Sequence, residues 1–184
     1  CFVANSRVVA ARIARYYGRS STVIAPPVEL APFQPWAPGN FYLAGGRLIP
    51  YKRLDLVVRA FTALGLPLKS FGAGRAREQL QQLAGPNAEF LGQISEQQRR
   101  DLFASCLAFI FPGEEDFGLV PLEAMAPGRP VIAYGAGGAL ETIVEGVTGR
   151  FFHEPSAAAL AVAVTASRSD QYDARVIRCH AEQF

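Results

Sequence analysis

The chain has 184 residues, half of them apolar and 18% charged, with a formal charge of +2. That length suffices for one domain with a sizeable core, and the composition excludes a disordered chain. The small net charge gives no argument for nucleic acid or an anionic membrane as a partner. Cys1, Cys106 and Cys179 are widely spaced with no CxxC pair, so neither a disulfide framework nor a zinc site follows. A reducing compartment is the default for such cysteine usage. There is no run of eighteen apolar residues and no signal-peptide pattern. The chain begins at Cys1 rather than Met and reads as a fragment, so a targeting segment outside it stays open.

Asn5-Ser6 precedes an apolar stripe with helical spacing, Arg7 to Tyr17, with Ser6 as N-cap and Gly18 as stop. Thr22 to Ala25 reads as a short strand that Pro26-Pro27 ends. Prolines then recur up to Pro38 and mark an extended connector, in which Trp36 reads as a packing anchor. From Phe41 the pattern alternates. Apolar runs at Phe41–Gly45, Leu66–Phe71, Ala88–Leu91, Leu107–Phe111, Pro130–Ala133 and Gly149–Phe152 predict strands. Helical patterns fall between and after them, at Arg53–Leu64, Arg75–Ala84, Glu96–Ser105, Leu119–Ala126, Ala139–Val144, Ser156–Ala166 and Gln171–Glu182. Such alternation predicts an α/β fold, a Rossmann-like parallel sheet with helices on both faces.

The stretch Phe109 to Gly128, FIFPGEEDFGLVPLEAMAPG, carries most of the chemistry. A buried strand ends there, three acids follow (Glu114, Glu115, Asp116), and a helical pattern begins at Leu119. Taken alone, three adjacent acids read as a solvated loop, and Glu123 as a residue on the wet face of a helix. Acids at the carboxyl end of a strand, before a helix, also stand where open α/β sheets bind ligands. Glu123 interrupts an otherwise apolar helix, and a buried carboxylate needs a partner, for which ligand hydroxyls would serve.

Other loops at strand ends have polar or glycine-rich character. Gly45-Gly46-Arg47 ends a strand, and Lys52-Arg53 opens the next helical pattern, where cations oppose the helix dipole. A bound diphosphate would relieve that conflict; otherwise both side chains extend into water. Phe71-Gly72-Ala73-Gly74-Arg75 could be mistaken for a dinucleotide fingerprint, but Arg77 stands where its third glycine belongs. As a tight turn it needs no ligand. Ser95 and Gln98 form a capping box after the strand that ends near Leu91. Gly135 to Gly138 is a flexible turn or an anion-binding nest. Glu141 reads as a first-turn helix acid, and His153 and His180 as structural residues without spaced partners. Glu114–Asp116 could take a magnesium ion through carboxylate oxygens, but no DxD motif supports it.

Glu115 and Glu123, eight positions apart with Phe117-Gly118 and a helix start between them, resemble the paired-glutamate motif of retaining GT-B glycosyltransferases. The words EDFGLVPLEAMAPGRPVIA and GGALETI are similar to glycosyltransferase family 4, in its mannosyltransferase-like branch. The resemblance implies that residues 39–184 are a nucleotide-sugar-binding Rossmann-like domain, the C-terminal half of a GT-B enzyme. Residues 1–38 would be the end of an N-terminal domain plus the Pro-rich linker. It also implies a hexosyltransferase that uses a nucleotide-diphosphate sugar, with GDP-mannose favoured and a UDP-sugar as alternative. No metal or other cofactor is expected. Glu115 would hydrogen-bond the donor sugar, and Glu123 would grip the ribose. Arg47 and Lys52, with Gly46, would hold the diphosphate. Gly72 and the backbone at Ile94 would lie near the nucleoside, and the N–H groups of Phe117, Gly118 and Leu119 near the sugar or distal phosphate. A glycan or lipid-linked acceptor would be held by the missing N-terminal domain, so the fragment itself is expected to transfer nothing. The protein is expected in the cytoplasm, with peripheral membrane association only in the full-length enzyme. Two rivals predict otherwise: an NAD(P)-binding domain gives Glu115 no role, and a non-catalytic module binds donor without turnover.

Overall fold

A computed structural model describes residues 1–30, 33 and 37–184, so the expectation for Trp36 lies outside the described residues. The first elements are β1 (Phe2–Ala4), α1 (Arg7–Tyr17) and β2 (Ser21–Val23), with β1 and β2 paired in parallel. The ends of α1 follow from its flanking residues. Ser6 Oγ accepts from Val9 N–H, and Gly18, at φ 62°, ends the helix with its N–H on Ala14 O. β1 is absent from the sequence reading, because three residues are too short to show alternation.

The rest of the chain alternates strand and helix, as expected. In order come β3 (Tyr42–Gly45), a 3-10 turn (Pro50–Lys52), α2 (Leu54–Leu64), β4 (Leu68–Phe71) and α3 (Arg77–Leu83). Then follow β5 (Ala88–Gly92), α4 (Glu96–Ser105), β6 (Phe109–Phe111), α5 (Leu119–Met125) and β7 (Val131–Tyr134). The chain closes with α6 (Ala139–Thr142), β8 (Gly149–Phe152), α7 (Ala157–Ser167) and α8 (Ala174–Ala181). Four expected helix starts move inward for local reasons, and at α7 the cause is that Ser156 is the N-cap, its side chain accepting from Ala159 N–H. Arg53 is left-handed at φ 51°, so α2 starts at Leu54. Gly74 at φ 157° delays α3 to Arg77. Asp173 accepts from Arg175 N–H and so sets the start of α8.

β3 to β8 form one six-stranded parallel sheet in the order β5-β4-β3-β6-β7-β8. Side chains alternate between its faces with a period of two. Leu43, Phe109, Phe111, Val131 and Ala133 enter one core with residues of α4, α5 and α8. Tyr42, Ala44, Ile110 and Ile132 enter the other, against α2, α3 and α7. Phe103 anchors the first core, fully buried among Phe33, Phe71 and Phe109 with ring centroids 5.3–6.1 Å away. Its truncation to Ala would cost about 3–5 kcal/mol. This arrangement positions the site. From β3 the chain proceeds outward through β4 to β5, and from β6 outward through β7 to β8. The order reverses between β3 and β6, which opens a crevice at their carboxyl ends.

Candidate functional site

The loops after β3 and β6 face each other across that crevice. After β3 the 3-10 turn and the left-handed Arg53 carry Lys52 over the loop that follows β6. The fit is close: a Cβ on Gly113 would stand 3.0 Å from Lys52 Cα. Lys52 Nζ thereby donates to Glu115 Oε1, an ion pair whose side chains are only 13% and 22% exposed. Gly46 stands beside it, 3.8 Å from Lys52 Nζ to the position a Cβ would take. Arg47 follows on the same loop, exposed, and its side chain makes no ion pair or hydrogen bond among the described residues.

The three acids do not act alike. Arg12, on α1, reaches Asp116 at 2.5 Å and Glu114 at 3.3 Å, leaving Glu115 to Lys52. Beyond them Gly118, at φ 96°, turns the chain into α5. The N–H groups of Phe117, Gly118 and Leu119 donate to no described group, so three donors lie beside Glu115 with capacity for a ligand. A cavity of about 490 Å3 opens here, lined among others by Tyr51, Glu115, Gly118 and Leu119.

The glycine-rich loop after β7 closes one side of this space by packing on the acidic loop. Gly138 N–H donates to Glu115 O at 2.7 Å, and a Cβ on Gly138 would fall 2.3 Å from Phe117 Cα. On the other side, Gly72 and Gly74 form a tight turn packed on the loop after β3. A Cβ on Gly72 would overlap Gly46 O at 1.8 Å, and one on Gly74 would meet Leu48 O at 2.3 Å. The backbone these glycines admit is the protein's own, so contact between loops already requires them. Ile94 is half-buried and packs on the first core, and Ser95 and Gln98 form the expected reciprocal capping box.

Glu123 has the partner that a buried carboxylate needs, and it is a protein side chain. Arg99 of α4 donates to its Oε2 at 2.8 Å and also holds Glu96 at 2.7 Å. Burial pushes the Glu123 carboxyl above its usual range, and Arg99 offsets part of that shift. Its Oε1 makes no hydrogen bond among the described residues. Glu141 lies in the first turn of α6, as expected, but its carboxylate caps a different helix. It accepts from the N–H groups of Arg7 and Val8, at 2.9 and 3.1 Å, at the start of α1. His180 Nε2 donates to Thr142 O at 3.0 Å, a structural role. Among the described residues no group of three His, Cys, Asp or Glu is arranged to hold a metal ion.

The structure thus joins Lys52 to Glu115 at the switch point, with Gly46, Arg47 and the N–H groups of residues 117–119 around them. Glu123 stands apart in the α4–α5 pair with Arg99. Sequence reasoning missed Arg12, Arg99 and the capping role of Glu141, because nothing local distinguishes them from surface charges. The arrangement offers cations and N–H donors for anionic oxygens next to carboxylates for hydroxyl groups.

Residues 34–183 match the family described as Glycosyl transferases group 1. Alpha-1,3/1,6-mannosyltransferase ALG2 of Dictyostelium discoideum is 33% identical over 138 residues, covering 60% of this chain and 33% of the relative. A GDP-mannose-dependent alpha-mannosyltransferase of Mycobacterium tuberculosis is 36% identical over 117 residues, covering 62% and 31%. Among solved structures, Anabaena HepE in complex with UDP-glucose superposes with a TM-score of 0.85 at 22% identity, covering 98% of this chain and 58% of that one. That likeness shows the fold, that of GT-B glycosyltransferases. The chain spans about a third of the length of the curated relatives named here. By the extent of the match, four-fifths of its residues, this chain belongs to the Glycosyl transferases group 1 family.

Proposed function

We propose that residues 39–184 are the donor-binding domain of a family 4 glycosyltransferase that transfers a hexose from GDP-mannose or a similar GDP-sugar, with retention at the anomeric carbon. Residues 1–38 belong, on this reading, to the end of an N-terminal domain and a linker. The Lys52–Glu115 contact at the switch point is the observation that supports the proposal, since a cation suited to a diphosphate there meets a carboxylate suited to sugar hydroxyls. Lys52 and Arg47 face the phosphates, with Gly46 leaving room beside them. The N–H groups of Phe117, Gly118 and Leu119 take the distal phosphate or sugar oxygens. Glu115 accepts hydrogen bonds from sugar hydroxyls, and the free Oε1 of Glu123 accepts from the ribose. Gly72 and the backbone at Ile94 border the nucleoside.

In the transfer step the acceptor hydroxyl forms a bond to the anomeric carbon as the bond from that carbon to the phosphate oxygen breaks. The nucleoside diphosphate departs with the electron pair, and its phosphate oxygen takes the hydroxyl proton. Charge gathering on the phosphate is stabilised by preorganised cations and N–H dipoles, with no metal in this role. Glu115 is not assigned as a nucleophile. The acceptor, a glycan or lipid-linked saccharide, is held by the rest of the protein, so this chain alone binds donor weakly and transfers nothing. The setting is the cytoplasm, with membrane association only through the rest of the enzyme. No helix among the described residues is long and apolar enough to cross a membrane.

The name of the Mycobacterium tuberculosis relative, a GDP-mannose-dependent mannosyltransferase, favours a GDP-sugar. The UDP-glucose held by HepE supports a UDP-sugar as second reading. Calorimetric titration with GDP, UDP, ADP and NAD tests the proposal. GDP should bind and NAD should not. Binding of NAD in preference to any nucleoside diphosphate would defeat it. A full-length protein that binds donor without turnover would reduce it to a sugar-nucleotide module.

A further inference from the structure

We propose that Arg77 selects the base of the donor by reading the O6 and N7 edge of guanine, an inference that rests on the GDP-sugar reading and deepens it. Arg77 is the first residue of α3 and is exposed. Its guanidinium covers Gly92, the last residue of β5. A Cβ on Gly92 would stand 3.6 Å from Nη1, 3.8 Å from Nη2 and 3.9 Å from Cζ. Both terminal nitrogens are nearer than Cζ, so the Nη1/Nη2 end of the guanidinium lies over the glycine. Its N–H edges engage no described group. By contrast, Arg12, Arg53, Arg99, Arg150 and Arg178 are each paired with a carboxylate.

The placement fits a base rather than a phosphate. The Lys52–Glu115 pair marks the switch point between β3 and β6, and β5 lies two strands beyond β3. At the usual strand spacing β5 lies about 12 Å along the sheet edge from the midpoint between β3 and β6. In a nucleoside diphosphate the ribose and the α-phosphate separate the base from the distal phosphate over such a span. The opposite direction is closed, because Gly137 and Gly138 press against the backbone of Glu115 and Phe117. Glu123 is paired to Arg99 in the first half of α4, the helix by which the chain leaves β5. A nucleoside leaving the switch point on this side passes a carboxylate suited to a ribose diol and then meets Arg77.

The chemistry favours one base. Guanine presents two adjacent acceptors, O6 and N7, to which the guanidinium fork donates twice. Adenine places an amino donor beside N7, and uracil sets its O2 and O4 acceptors on either side of an N–H donor, so neither base presents two adjacent acceptors.

The test is calorimetry of this chain with GDP, UDP and 7-deaza-GDP, which lacks the N7 acceptor, compared with Arg77→Met. The unaltered chain should bind GDP about tenfold more tightly than UDP, and 7-deaza-GDP should lose most of that advantage. Arg77→Met should bind all three alike, with UDP affinity changed by less than about twofold. Its melting temperature should be unchanged, since the side chain is exposed and unpaired. If the unaltered chain binds UDP as tightly as GDP, the GDP-sugar reading fails and this inference falls with it. If the chain prefers GDP and Arg77→Met keeps the preference, Arg77 is not the reader, while the donor reading stands. Equal losses for GDP and UDP would make Arg77 a phosphate cation and would also overturn the inference.

Discussion

Replacing Lys52 by Ala removes the cation that links the two loops of the crevice. Its contact with Glu115 is only 13% and 22% exposed, so solvent screens it less than a surface pair. Two effects weaken nucleotide binding in the variant. A charge-assisted hydrogen bond to phosphate is lost, worth about 1.5–3 kcal/mol. Glu115 is also left facing the diphosphate without its counter-charge. One effect opposes them, since the unaltered protein must share Lys52 between Glu115 and the ligand. The first two dominate, and the dissociation constant for a nucleoside diphosphate should rise about 10- to 150-fold. Calorimetry on the purified chain measures this directly. The double variant Lys52→Ala/Glu115→Gln should recover part of the loss, because the uncompensated carboxylate is then gone. Unchanged affinity in Lys52→Ala would remove Lys52 from the site and with it the physical basis of the proposed function.

Three further outcomes follow from packing and titration. Gly72→Ala would place a Cβ 1.8 Å from Gly46 O at a residue with φ 117°, so it should destabilise the chain by at least about 3 kcal/mol, visible in urea unfolding. Gly18→Ala, with no atom within 4 Å of the new Cβ but φ 62°, should cost only about 1 kcal/mol, and equal costs for the two would contradict the loop-packing role. The Arg150 guanidinium holds the Asp170 carboxyl below its usual range through hydrogen bonds at 2.7 and 2.9 Å, a lowering that burial partly opposes. A carboxyl lowered on folding stabilises above its unfolded pKa and loses that contribution as pH falls through the folded one. Asp170→Asn should therefore flatten the acid side of the stability profile, and an unaltered slope below pH 4 would show that the pair carries no linkage. Burial pushes the Cys106 thiol up to about 12, while Cys1 and Cys179 are exposed. A thiol reagent at pH 8 should label Cys1 and Cys179 in the native chain and reach Cys106 only after unfolding.

The sequence by itself determined the architecture, and for a local reason. Alternating apolar runs and helical stripes are set by the backbone geometry of a few neighbouring residues, as are the caps Ser6 and Ser95 and the stop at Gly18. Glu115, Lys52 and the glycine loops were legible as candidates because each stands at a strand end, where a parallel sheet presents its ligands. Roles within the site were another matter. Only the fold decided that Glu115 of three adjacent acids meets Lys52, 63 residues away, while Arg12 takes its two neighbours across more than 100. Glu141 caps a helix 134 residues earlier, and Glu123 is held by an arginine on another helix 24 residues before it. Gly72 and Gly74 answer to the carbonyl groups of a neighbouring loop. An ion pair depends on distance in space, and a sheet that reverses its strand order brings together residues whose separation along the chain carries no signal of their meeting.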